Sequence, residues 1–156
     1  MSVIKKLFKP YRVVAPYVFK DSQTVKYPDE RLVFAPRFRG RHVLHLDLCI
    51  HCGLCARVCP CNSIELVPVE GREGKYPQIN YGTCSLCGFC VYFCPRNALE
   101  HTDIVEYATR SREDLIYPPE RLAQVPSVKD LVPRLKRRVK PVLRKGAMHY
   151  VEVKER

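Results

Sequence analysis

The sequence predicts an α+β core with an internal two-fold repeat, set between two long arms. Three observations predict it. All nine cysteines fall between Cys49 and Cys94. Their spacing occurs twice: Cys49, Cys52, Cys55 and Cys59-Pro60 return 35 residues later as Cys84, Cys87, Cys90 and Cys94-Pro95. The repeat also runs past the cysteines, with Gly53 matching Gly88, Asn62 matching Asn97, Ile64 matching Leu99 and Glu65 matching Glu100. Two copies of one short unit are therefore present.

Taken in order, residues 1–42 read as a basic N-terminal arm. Val3, Ile4, Leu7, Phe8 and Tyr11 recur at helical spacing with Lys5, Lys6 and Lys9 between them, the pattern of an interfacial or packed helix that Pro10 is expected to keep short. The proline-rich stretch 16–36 reads as extended. In the core, residues 43–101, strands are expected at 43–47 and 78–81 before the two cysteine sets and at 63–67 and 98–101 after them. One helical turn in each copy, Ala56-Arg57-Val58 and Val91-Tyr92-Phe93, carries the fourth cysteine and stops near the proline. Each half is thus expected to be a short hairpin and a helical turn. Residues 102–156 read as a C-terminal arm, proline-rich and extended over 117–133 and ending in a basic tail.

The 156 residues carry 27 Lys+Arg against 16 Asp+Glu, a formal net charge of +11. That charge is unevenly placed: +7 over 1–42, −1 over 43–101, −2 over 102–133 and +7 over 134–156. A nearly neutral core lies between two basic arms. The tail residues Arg134, Lys136, Arg137, Arg138, Lys140, Arg144 and Lys145 lack interleaved aromatics, so nucleic acid is not expected as a partner, and anionic lipid or an acidic subunit fits better. The longest uncharged apolar stretch near the start, 13–19, falls far short of the ~20 residues that span a bilayer. An odd cysteine count with no secretory signal argues for a reduced, intracellular setting.

The cysteine spacing selects the metal. In the run C-x2-C-x2-C-x3-C-P the three closely spaced thiolates wrap one iron–sulfur cube, and the fourth ligates the other cluster in two-cluster ferredoxins. That rule assigns Cys49, Cys52, Cys55 and Cys94 to cluster one, and Cys84, Cys87, Cys90 and Cys59 to cluster two. The expected cofactors are two [4Fe-4S] clusters in a ferredoxin-like, pseudo-twofold core. Structural zinc sites favour two separated C-x-x-C pairs and have no use for a third cysteine or the proline. Cys61 has no counterpart, since Arg96 holds the equivalent place, and reads as a small packing residue. His51 stands inside the first triplet, as a solvated side chain or as a charge that eases reduction of cluster one. Gly53 and Gly88 follow the second cysteine of each set, where tight turns or N–H donation to cluster sulfur call for glycine. Ile50, Leu54, Ile64, Leu86, Phe89, Val91 and Phe93 are the candidate apolar shell. No nucleophile–base constellation or phosphate-binding glycine loop occurs, so no catalytic residue and no direct small-molecule substrate are expected.

The flanks carry a resemblance. Thr24-Val25-Lys26-Tyr27-Pro28 and Pro36-Arg37-Phe38-Arg39-Gly40-Arg41-His42, then the double motif, then Glu106, Ala108, Arg112, Asp114, Leu115 and Tyr117, together resemble the two-cluster subunit of respiratory complex I, the subunit I type. The match covers about residues 20–118, and the same subunit type occurs in membrane-bound hydrogenases and related ferredoxin-linked, ion-pumping complexes. The resemblance implies an electron-relay subunit of an oxidoreductase, seated peripherally on the cytoplasmic face of a prokaryotic membrane. Its partners would be other iron–sulfur and membrane subunits, and it would relay toward a terminal cluster beside a quinone or hydrogenase-like site. The other reading is a free soluble ferredoxin. Such carriers are shorter and acidic, which the two basic arms oppose.

Overall fold

The computed structural model describes residues 3–19, 24–144 and 147–153. In chain order the elements are helix α1 (Val3–Val14), a 3-10 turn Ala15–Phe19, strand β1 (Glu30–Leu32), β2 (His42–Leu44), α2 (Leu54–Arg57), β3 (Ile64–Pro68), β4 (Lys75–Asn80), α3 (Phe89–Tyr92) and β5 (Leu99–His101). A 3-10 turn Glu113–Leu115 follows, then β6 (Ile116–Tyr117), α4 (Pro119–Ala123), α5 (Val128–Leu131), β7 (Arg137–Arg144) and β8 (Ala147–Glu152). The chain forms two compact units, one of Met1–Val33 with Arg134–Arg156 and one of Phe34–Pro133.

The second unit holds the cysteines and is wider at both ends than the repeat itself. Tyr117 and Leu122, which lie beyond residue 101, are buried in its core with Leu44, Ile64, Ile79, Tyr81 and Leu99. The mixed helix and strand content is as expected, but the pairing is not the one read from the sequence. The two halves do not each close a hairpin. Instead β3 and β4 form an antiparallel hairpin that joins the halves, with Ile64 opposite Ile79, while β2 from the start of the core pairs antiparallel with β5 from its end, with Leu44 opposite Leu99. The physical reason is that each strand buries its apolar residue between both halves. Leu44, Ile79 and Leu99 are each at most 2% exposed, which local hairpins within one half would not achieve. Strand β6 pairs with β4 only at Ile79 and Asn80, so Pro77 sits on a free edge where its missing N–H costs no ladder bond.

The helical turns start two residues earlier than expected. Gly53 and Gly88 take up left-handed backbone, φ 67° and 82°, as the residues that precede α2 and α3, and so open each turn immediately after the second cysteine of the set.

The first unit corrects the expectation of irregular arms. Helix α1 continues through Pro10 to Val14, because the proline removes one backbone donor and helical geometry resumes beyond it. In the other arm, β7 and β8 form an antiparallel hairpin, and β7 also pairs in parallel with β1, Leu32 lying opposite Val139. Lys136 binds Asp29 at 2.8 Å and Arg137 binds Glu30, so two cations of the basic tail are spent on tying the tail to the N-terminal segment. Lys145 of the basic tail lies outside the described residues. The stretches 16–36 and 117–133, expected to be extended throughout, contain β1 and the short helices α4 and α5.

Candidate metal centre

Each cysteine set wraps a short helix. Cys49 and Cys52 precede α2, Cys55 lies on it, and Cys59 follows; Cys84, Cys87, Cys90 and Cys94 stand in the same relation to α3. Cys49, Cys52 and Cys55 line one cavity together with Cys94 from the second copy. Cys84, Cys87 and Cys90 line another together with Cys59 from the first. The fourth cysteine of each copy therefore faces the triplet of the other.

The second feature is a set of backbone donors that obeys the same duplication. The Leu86 N–H points to Cys84 Sγ at 3.5 Å, and the His51 N–H makes the matching bond to Cys49. The Ser63 N–H points to Cys59 Sγ at 3.4 Å and the Ala98 N–H to Cys94 Sγ at 3.2 Å. His51 and Leu86 hold left-handed backbone, φ 56° and 54°, as do Asn62 and Asn97, φ 48° and 49°. Positive φ is uncommon for residues with a Cβ and is found where the surroundings over-determine it. Here it turns the backbone around the sulfurs, twice, at equivalent positions.

These donor sets fit iron–sulfur clusters. Burial pushes the Cys55 thiol up to about 11 and the Cys90 thiol up to about 12, with the charge of neighbouring cysteines adding to the rise. Cys49 and Cys84 are raised for the same first reason. Cys59 differs: burial raises it, but the Ser63 hydroxyl and the N–H groups of Ser63, Cys61 and Asn62 outweigh burial and hold it low. Four thiolates crowded into an apolar cavity repel one another and lose solvation, a cost that bound iron cations relieve. Among the described residues no three His, Cys, Asp or Glu side chains close tightly enough to hold a single metal ion. A crossed set of four cysteines lines each cavity, the donor set that an iron–sulfur cube takes.

Gly53 lines the first cavity and Gly88 the second. A Cβ at Gly53 would meet Leu66 Cδ1 at 3.1 Å, and one at Gly88 would meet His101 Nε2 at 3.2 Å, so turn geometry and close approach both apply. His51 lines the first cavity and sets its ring edge-on to Tyr76, with centroids 4.4 Å apart. It touches the protein on that side and is exposed to solvent. Ile50 and Leu54 line the first cavity and Ile64 the second. Phe89 and Phe93 line neither: they are exposed, and with Arg37, Arg39 and Tyr92 they border a wide groove on the outer side of Cys87. Cys61 stands on the wall of the second cavity, its Sγ 3.4 Å from the Ser85 hydroxyl.

Sequence reasoning missed His42. Its ring is 1% exposed, lines the second cavity, and brings Nε2 to 3.4 Å from Cys90 Sγ. Burial, then the neighbouring His101, pushes its pKa down to about 3. A histidine preceding two apolar residues at the head of an expected strand was the available signal.

Comparisons with known proteins give the family and the cofactor class. Residues 48–98 match the 4Fe-4S dicluster domain family. NADH-quinone oxidoreductase subunit I 2 of Cereibacter sphaeroides is 46% identical over 118 residues, covering 70% of this chain and 72% of that protein. The subunit I of Methylococcus capsulatus is 42% identical, covering 70% of each chain, and that of Pseudomonas fluorescens is 44% identical, with this chain spanning 62% of its length. Among solved structures, a chain of the membrane-bound sulfane sulfur reductase, an archaeal respiratory membrane complex, superposes with a TM-score of 0.56 at 30% identity, over 92% of this chain and 87% of that one.

Proposed function

Because the chain belongs to the NADH-quinone oxidoreductase subunit I family, we propose that it relays single electrons within a complex of that type, and that its two sets of crossed cysteines are the ligands. It is an iron–sulfur subunit of a multi-subunit, membrane-associated oxidoreductase, with two [4Fe-4S] clusters as its cofactors. The relatives and the structural neighbour all belong to such complexes, which separates it from a diffusing soluble ferredoxin. When bound, the clusters supply one-electron oxidation and reduction.

The chain's own residues do the rest. Cys49, Cys52, Cys55 and Cys94 hold cluster one; Cys84, Cys87, Cys90 and Cys59 hold cluster two. The repeated backbone N–H groups stabilise negative charge on the sulfurs and so favour the reduced state. Leu44, Ile50, Leu54, Leu66 and Leu99 keep water from the first cavity, as Ile64 and Ile79 do from the second. The charge of Cys55, the third cysteine of the first triplet, adds to the rise at Cys90, the third of the second, and the helices α2 and α3 that carry them are in contact. The acceptor, a terminal cluster of a quinone or hydrogenase-like site, would be carried by other subunits, with this chain on the cytoplasmic face of the membrane. No helix among the described residues is long and apolar enough to cross a bilayer. Helix α1, with Leu7, Phe8 and Tyr11 exposed and lysines between them, supports a peripheral attachment.

The observation that carries this reading is the crossed lining of the two cavities. Iron and acid-labile sulfide analysis tests it, with about eight irons per chain expected from two four-iron clusters. Identification of co-purifying subunits decides the acceptor branch: a quinone-site partner points to the NADH-quinone oxidoreductase type, and a different terminal subunit to the type of the sulfane sulfur reductase neighbour.

A further inference from the structure

His42 begins β2 and pairs across the sheet with His101 on β5. Three contacts determine what its ring can do. The His42 backbone N–H donates to the Tyr81 hydroxyl at 2.8 Å. That hydroxyl lies 3.2 Å from His42 Nδ1. The phenol oxygen accepts the backbone proton and has its own proton to give to Nδ1, and an imidazole whose Nδ1 accepts carries its proton on Nε2. Nε2 stands 3.4 Å from Cys90 Sγ.

The surroundings offer that proton no better destination. The ring of His101 lies beside that of His42, centroids 4.3 Å apart, but His101 Nδ1 donates to the Gly40 carbonyl at 2.9 Å. Its Nε2 is buried without a hydrogen-bond partner and borders the position a Cβ on Gly88 would take. Tyr81 is itself held by the rings of Tyr107 and Tyr117 at 5.0 and 4.9 Å. The donor is therefore oriented by a packed phenol and shielded from water.

We propose that His42 is a positioning residue for cluster two, donating Nε2–H to the Cys90 sulfur with its tautomer set by Tyr81, and thereby raising the reduction potential of that cluster. The inference rests on the ligand sets proposed above, in which Cys90 belongs to cluster two. Reduction adds negative charge that spreads onto the thiolate sulfurs, and a hydrogen bond to such a sulfur is stronger in the reduced state.

The test is an EPR-monitored redox titration of the whole complex carrying His42→Phe, His42→Gln or Tyr81→Phe. Loss of the donor in His42→Phe is expected to lower the reduced-to-oxidised ratio of cluster two about tenfold at fixed poise, about 59 mV for a one-electron couple, with cluster one unmoved. The Gln amide restores most of the shift, and Tyr81→Phe, which frees the tautomer, moves it part of the way. An unmoved cluster-two midpoint in a His42→Phe variant that retains both clusters overturns the inference. Where that variant loses its iron, pulsed EPR of the native complex labelled with 15N-histidine decides: hyperfine coupling between a ring nitrogen and reduced cluster two supports the bond, and its absence overturns it. Failure of the ligand assignment is separate. It shows as loss of cluster one, in place of cluster two, in Cys59→Ser.

Discussion

Among the described residues, four that carry a Cβ hold left-handed backbone, and they form two pairs, His51 with Leu86 and Asn62 with Asn97, each pair 35 positions apart. Backbone strain that recurs at equivalent positions is maintained for a purpose. Here it aims N–H groups at Cys49 and Cys84 and shapes the turn after Cys59 and Cys94. At this scale the sharpest expectation concerns the crossed ligands. Cys59→Ser should remove the EPR signal of cluster two, although Cys59 lies in the first motif, and Cys94→Ser that of cluster one; loss of the cluster nearest in sequence would refute the crossing. Gly88→Ala places a Cβ at φ 82° and 3.2 Å from His101 Nε2, a combination expected to cost roughly 1–2 kcal/mol in backbone conformation alone. Thermal denaturation against the wild type measures it, and a change inside about 0.5 kcal/mol would mean that neither constraint operates. The cysteines and both glycines were legible from spacing. His42 was not, because a single histidine at a strand start carries no spacing, and only the β2–β5 pairing and the fold of Tyr81 over it bring it to Cys90.

The elements were legible as pieces but not as partners. Strand-length apolar runs flank each cysteine set, and strands form at all four places, yet β2 pairs with β5 and β3 with β4 across the repeat. A short strand does not say which other strand will bury its apolar face. Leu99 illustrates the consequence: it belongs to the second copy, lies opposite Leu44 of the first, and also lines the first cavity. Leu99→Ala should cost about 2–5 kcal/mol, in the range for a fully buried leucine. It should also make cluster one the more oxygen-labile of the two, measured as the order in which the EPR signals decay in air. Equal decay would show that the packing around Leu99 does not seal that cavity. The short turns α2 and α3 are too brief to be stable alone and depend on the cysteines around them. Chelation of iron from the oxidised protein should therefore abolish hydrogen-exchange protection over 49–59 and 84–94 while the β3–β4 hairpin keeps part of its own. Uniform retention would show that these turns fold without metal.

For the whole molecule, the net charge of +11 divides more finely than the sequence indicates. Of the basic residues that follow 133, Lys136 and Arg137 pair with Asp29 and Glu30 and serve to join β7 to β1. Neutralising Arg134, Lys140 and Arg144 should weaken retention on anionic membranes, visible as release at lower salt, with β7 intact. Neutralising Lys136 and Arg137 should chiefly loosen the β1–β7 pairing, visible as faster proteolysis of the N-terminal segment. Identical salt release in the first variant and wild type would reject an electrostatic role for those charges.

By itself the sequence determined the metal chemistry and the family, because cysteine spacing is a local property: two residues between thiols suit one cube whatever surrounds them, and the flanking motifs are read in order along the chain. Strand partnership, the order built into the supposed arms, and the histidine beside Cys90 were decided only by tertiary structure. Each depends on which distant surfaces exclude water together, and burial between segments far apart in the chain leaves no periodic mark on either one.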